Sequence, residues 1–92
     1  MAGLEFEMAR VTIYTTLLCP YCYMAKQLLR SKGVTYKEID VGRAPHLREE
    51  MRIKAGGRRT VPQIWIGETH VGGGDDLRAF DRAGKLDRLL AA

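Results

Sequence analysis

Apolar and polar positions along this chain fall into short blocks whose period switches between two and about 3.6 residues. Residues 11–14 (Val, Thr, Ile, Tyr) alternate and are β-branched or aromatic, which predicts a strand running directly into Cys19. Over residues 20–32, Met24, Ala25, Leu28 and Leu29 recur at helical spacing with Lys26, Arg30 and Lys32 interleaved. Pro20 suits the first turn of that helix, where no backbone donor is needed, and Gly33 suits its stop. Residues 34–41 read as a second strand. The first forty residues are therefore β-α-β, with parallel strands and a right-handed crossover.

Gly42 to Pro45 makes a turn, and Leu47, Met51 and Lys54 mark a second, more polar helix closed by Gly56-Gly57. Residues 62–66 and 69–71 read as two short strands around the turn Gly67-Glu68. Asp75-Asp76, after three glycines, open a third helix carrying Leu77 and Phe80, and acidic residues there agree with the helix dipole. Gly84 interrupts it, and Leu86, Leu89 and Leu90 predict a last apolar turn docking on the core. The order β-α-β-α-β-β-α implies an α/β layered fold.

The 92 residues form one domain, because a chain this short supports a single core, and no repeat or linker divides it. Residues 1–8 are expected to be a short disordered or extended segment, with Met8 available as an alternative start. Residues 1–7 carry two glutamates, no basic residue and no apolar run, which is not the pattern of a secretory signal. No apolar run approaches bilayer-spanning length, so no membrane association is expected. The net charge of +4, from 15 Lys+Arg against 11 Asp+Glu, favours anionic partners. A basic stripe with interleaved aromatics is missing, so nucleic acid is not the expected partner. A small acidic substrate fits better.

The two cysteines, Cys19 and Cys22, form one C-x-x-C at the first strand-to-helix junction. A secreted disulfide-stapled domain would use more cysteines set farther apart, so this pair is expected to do chemistry, in the cytoplasm. Unpaired N–H groups and the dipole at a helix start stabilise an anion, which makes Cys19 the candidate thiolate nucleophile. Cys22, one turn deeper on the same face, is placed to resolve a mixed disulfide formed on Cys19. A zinc half-site would supply only two of four ligands, and His46 and His70 form no familiar ligand pair with the cysteines, so no metal is expected.

Two further motifs are weak singly. In Thr60-Val61-Pro62 the proline lacks a donor and belongs at an edge or strand start. It either leaves the preceding backbone free to pair with an extended peptide-like substrate or is a simple turn residue. Gly72-Gly73-Gly74-Asp75-Asp76 either exposes backbone N–H groups that hold a carboxylate, or is loop punctuation with Asp75 or Asp76 as a helix cap. Tyr14 and Trp65 read as core aromatics.

Together the three motifs resemble the glutaredoxin family, over about residues 11–90. Cys19-Pro20-Tyr21-Cys22 is similar to the active-site sequence of its dithiol members. Thr60-Val61-Pro62 resembles the family's cis-proline motif, and Gly72-Gly73-Gly74-Asp75-Asp76-Leu77 its glycine-rich glutathione motif. The resemblance implies a thioredoxin-like fold: a four-stranded mixed sheet of order 4-3-1-2, flanked by helices, with strand three antiparallel to the rest. It implies a glutathione-dependent thiol–disulfide oxidoreductase that reduces protein disulfides and glutathione mixed disulfides, with no tightly bound cofactor.

Glutathione would lie in a groove beside Cys19. Tyr21 would line the groove, the backbone of Val61 after Thr60 would pair with the cysteine part, and Pro62 would be cis. Gly74 and Asp75 would hold the γ-glutamyl end, and Arg59 would face the glycine carboxylate. Pro20, Thr16, Gly73 and Asp76 would support the site. Thr16 departs from a lysine common in the family, which removes one electrostatic contribution, and Gly74 is smaller than the serine or cysteine common there. Implied partners are disulfide-bearing or glutathionylated proteins, ribonucleotide reductase among them, for a monomer. A [2Fe–2S]-holding dimer is disfavoured by Pro20 and the second cysteine, and a thioredoxin-reductase-dependent redoxin by the glutathione-like motifs.

Overall fold

The computed structural model describes residues 9–91. The expected N-terminal segment, residues 1–8, lies outside them. The chain runs β1 (Val11–Thr15), α1 (Pro20–Ser31), β2 (Lys37–Asp40), α2 (Pro45–Lys54), β3 (Gln63–Ile66), β4 (Thr69–Gly72), α3 (Gly74–Arg82) and α4 (Lys85–Ala91). The four strands form one sheet in the order β2-β1-β3-β4. β1 pairs parallel with β2, while β3 runs antiparallel to both β1 and β4. This is the expected 4-3-1-2 order read from the other edge.

The period-2 alternation of the central strands divides the interior into two layers. Val11 and Ile13 of β1 with Ile64 and Ile66 of β3 face Ala25 and Leu29 of α1, Leu77 of α3, and Leu86 and Leu90 of α4. Tyr14 and Trp65, on the opposite face, meet Val41 and Met51, the latter from α2. Both central strands are therefore covered on both sides, and each fully buried aliphatic side chain contributes roughly 1.5–3 kcal/mol.

Two elements differ from the sequence reading. β2 is four residues long because its pairing with β1 begins at Thr12↔Lys37; Val34 is buried in the core without joining the ladder. The chain after Gly84 is a helix in its own right, α4, rather than a single turn. Gly84, at φ 74°, allows the chain to reverse there, so that Leu86 and Leu90 reach the core. Lys32 at the end of α1 bridges Asp81 of α3 at 2.7 Å and Asp87 of α4 at 3.0 Å, which ties the three helix ends together. Among the described residues no helix is long and apolar enough to cross a membrane.

Candidate functional site

The site is built where β1 ends and α1 begins. Leu18, at φ 57°, is the one non-glycine residue with positive φ among those described, and its side chain is 97% exposed. A left-handed residue of this kind costs on the order of 1–2 kcal/mol. It turns the chain so that Cys19, in extended conformation, stands as the N-cap of α1 with Pro20 in the first turn. The Cys22 N–H donates to Cys19 Sγ at 3.1 Å, so the sulfur occupies the place an Asp or Ser oxygen takes in an ordinary cap. Both cysteines are free thiols. Cys19 is part-exposed, whereas Cys22 is only 2% exposed.

Burial is the largest influence on the Cys22 thiol and, with the hydrogen bond it donates to Cys19, pushes it up to about 12. The backbone of Thr16 and the charge of Lys26 pull it back in part. The pair is thus divided: one accessible sulfur at a helix start, and one enclosed sulfur that stays protonated at neutral pH. Thr16, Leu17, Cys19, Cys22, Tyr23 and Lys26, with Glu38 and Asp40 of β2, line a cavity of about 490 Å³ beside them.

The Thr60–Val61–Pro62 segment enters the site from the other side. The Val61–Pro62 peptide bond is cis, as the resemblance implied. The segment is anchored by Gln63, a fully buried polar residue that the sequence reading passed over. Its Nε2 donates to the Thr60 carbonyl at 3.0 Å and lies 3.2 Å from Thr60 Oγ1. Its Oε1 pairs with His70 Nε2 at 2.7 Å. Burial, with the nearby Arg58 guanidinium, disfavours the charged form of His70, which stacks on Trp65 at 4.4 Å. The signal in the sequence was a glutamine at the head of an otherwise apolar strand; only a buried partner explains it.

The glycine turn closes the site. Gly72 has φ 118°, and a Cβ there would fall 2.3 Å from Asp76 Oδ2, so only glycine fits. Asp76 accepts from the Gly73 N–H at 2.8 Å and pairs with Arg58 Nη1 at 3.2 Å. The Gly73 bond, then the Arg58 pair, hold its carboxyl below the usual range. A Cβ on Gly74 would sit 3.7 Å from the Tyr21 carbonyl and 3.8 Å from Pro62 Cγ, so this turn, the proline loop and α1 border one another.

Cys19, Pro20, Cys22 and Thr16 thus share one cavity, while Tyr21, Pro62 and Gly74 meet one another outside its lining. Gly73 and Asp76 form the cap of α3. Thr60 and Val61 lead into Pro62 in the proline loop, and Asp75 and Arg59 make other contacts. Asp75 is exposed and its carboxylate is engaged by Arg78 of its own helix. Arg59 lines a separate cleft of about 280 Å³ with Pro45, Arg48, Glu49 and Arg52 of α2, and its carbonyl accepts from Arg48 Nη2 at 3.1 Å. Tyr14 and Trp65 are buried, as expected of core aromatics, and their rings meet edge to face at 5.3 Å. Among the described residues no three His, Cys, Asp or Glu side chains converge on a common point.

A family model described as glutaredoxin matches residues 11–71. The glutaredoxin of Pseudomonas aeruginosa is 64% identical over 85 residues, covering 92% of this chain and 100% of that protein. Glutaredoxin 3 of Escherichia coli K12 is 55% identical over 83 residues, covering 90% of this chain and 99% of that one. Among solved structures, the solution structure of a Brucella melitensis glutaredoxin superposes with a TM-score of 0.81 at 53% identity, covering 92% of this chain and 91% of that chain. The crystal structure of a buckwheat glutaredoxin–glutathione complex superposes with a TM-score of 0.81 at 28% identity, covering 95% of this chain and 80% of that one.

Proposed function

The chain belongs to the glutaredoxin family and is a glutathione-dependent thiol–disulfide oxidoreductase; from that premise we propose that Cys19 is its nucleophile and Cys22 its resolving thiol. The observation that carries the assignment is the unequal pair itself. Cys19 Sγ, at the start of α1, accepts a backbone N–H, while Cys22 lies enclosed one turn deeper. A thiolate is the attacking species, and preorganised N–H donors favour it where it must form.

Attack by the Cys19 thiolate on a mixed disulfide forms one S–S bond and breaks another. When the attacked sulfur is that of glutathione, the protein thiolate leaves, takes up a proton, and Cys19 is left glutathionylated. A second glutathione thiolate then attacks the glutathione sulfur, releasing Cys19 and glutathione disulfide. On a protein disulfide, Cys19 forms a mixed disulfide with the target. Cys22 loses its proton and attacks Cys19 Sγ, expelling the target thiol and leaving a Cys19–Cys22 disulfide. Two glutathiones reduce that bond in turn.

Glutathione is proposed to lie along Tyr21, Thr60, Val61, Pro62, Gly74 and Asp75. The meeting of Pro62 and Gly74 with Tyr21, two residues after Cys19, supports this. The free backbone of Val61 suits the cysteine portion, and the N–H groups at the start of α3 suit the γ-glutamyl carboxylate. Arg59, beside Arg48 and Arg52, would supply positive charge for the glycine carboxylate where Thr16 replaces a lysine. Proposed targets are glutathionylated or disulfide-bearing proteins, ribonucleotide reductase among them, reduced by a monomer in the cytoplasm.

The test is glutathione-dependent reduction of a small glutathione mixed disulfide, coupled to glutathione reductase. Turnover in the wild type and in Cys22→Ser, with none in Cys19→Ser, is expected. Turnover that survives Cys19→Ser would overturn the assignment of the nucleophile.

A further inference from the structure

The resolving step needs a thiolate at Cys22, a thiol that its burial makes hard to ionise. A carboxylate or ammonium elsewhere in the chain is of no use to it unless held within the same enclosure. Cys19, Cys22 and Lys26 follow one another on α1 at spacings of three and four residues, which puts them on one stripe of the helix. The cavity beside the cysteines is lined by a single cationic side chain, Lys26. That ammonium is not free to wander: Lys26 Nζ lies 3.0 Å from Glu38 Oε2 of β2. The same oxygen accepts from the hydroxyl of Thr15 at 2.7 Å, and Thr15 is buried. The parallel register Ile13↔Glu38 is what puts Glu38 on the α1 side of the sheet.

We propose that Lys26, held in place by Glu38 and Thr15, is a positioning residue that supplies the counter-charge for the Cys22 thiolate during resolution. This rests on the dithiol route proposed above. The other polar groups facing the cavity are Cys19 at the N-cap of α1, Tyr23 of α1, Thr15, Thr16, and Glu38 and Asp40 of β2. Once Cys19 is tied up in a mixed disulfide it carries no charge, and Lys26 is then the one cation left opposite the second sulfur. Asp40 is turned to the Gly42 N–H at 2.7 Å, and Glu38 is occupied by its two donors. Lys26 already draws the Cys22 thiol down against its burial, though less than the Thr16 backbone does in the reduced protein. The monothiol route never ionises Cys22 and does not call on the lysine.

The size of the effect follows from two opposing terms. Losing an opposing charge from the wall of the same cavity raises a thiol by about one pKa unit. The thiolate population then falls about tenfold, but a more basic thiolate is a better nucleophile with a slope of roughly 0.4–0.5, so the net loss is about threefold. Below the thiol's own titration, the plot of rate against pH is displaced by about half a unit toward alkali.

The experiment mixes reduced full-length protein with glutathione disulfide, quenches with acid, and follows decay of the Cys19 mixed disulfide by mass spectrometry across a pH series. K26M is expected to resolve about threefold more slowly at each pH, with K26R restoring the wild-type line. In the Cys22→Ser background, K26M must alter monothiol turnover less than it alters resolution. A K26M rate that matches wild type overturns the proposal. So does an equal loss in K26R, which would make the role structural. A wild type that forms the mixed disulfide but never the Cys19–Cys22 disulfide overturns the dithiol route, and this inference with it.

Discussion

Replacing Gln63 by leucine tests whether the proline loop is held from beneath. Leucine fills nearly the same volume at the head of β3 but removes three polar contacts: two to Thr60 and one to His70. A neutral hydrogen bond contributes about 1 kcal/mol net, and the added apolar burial gives part of that back. Thr60 is exposed, so water replaces its lost donor; His70 is only part-exposed and keeps more of the penalty. The expected loss is therefore about 2 kcal/mol. In urea, with a slope of about 1 kcal/mol/M for a domain of this size, the midpoint should fall by about 2 M, or Tm by about 10 °C.

The functional consequence is separable from the loss of stability. Val61 stands between Thr60 and Pro62, and a loosened loop must be ordered again each time glutathione binds. Ordering costs affinity, not chemistry, so the KM for glutathione should rise about fivefold, equivalent to about 1 kcal/mol, while the rate of Cys19 alkylation stays constant. A Q63L protein with its midpoint lowered as computed but its KM unchanged would reduce Gln63 to a buried polar plug. An unchanged midpoint would refute the whole argument.

Three further outcomes follow from the site. Because the Cys22 thiol is pushed up to about 12, it stays protonated at neutral pH; iodoacetamide should label Cys19 and spare Cys22, and peptide mass mapping that finds equal labelling would contradict this. The Asp76 carboxyl is held below its ordinary value by Gly73 and Arg58, so it stabilises the fold above about pH 4 and ceases to as pH falls through its folded value. Asp76→Asn should therefore flatten the acid limb of stability against pH, and Asp76→Ala should cost about 1 kcal/mol in urea as a lost cap, the exposed Arg58 pair adding little. Gly72→Ala should destabilise by more than about 2 kcal/mol, since it combines a left-handed backbone with a Cβ driven into Asp76; a circular-dichroism melt like that of the wild type would show that the turn can yield.

The sequence determined the order of elements, the position of the cysteines at a helix start, and the glycine turn before α3. Each of these is local: they rest on the period of apolar residues, on proline's missing donor and on glycine's missing Cβ. It also carried the family resemblance, because Cys19-Pro20-Tyr21-Cys22, Thr60-Val61-Pro62 and the glycine run are short contiguous motifs. Tertiary structure decided what lies between them. β2 ends where its partner ends, so its length could not be read from its own residues. Gln63, Thr15 and Glu38 are ordinary letters until the register Ile13↔Glu38 and the antiparallel pairing of β1 with β3 bring them to the cavity and the proline loop. The sequence singled out Arg59 of the Arg58-Arg59 pair, and only the fold shows that Arg59 lines a cleft against α2 while Arg58 reaches Asp76. The unequal burial of the two thiols has the same origin, for a residue's burial, and with it the energy of its charged form, belongs to the packed molecule and not to the motif.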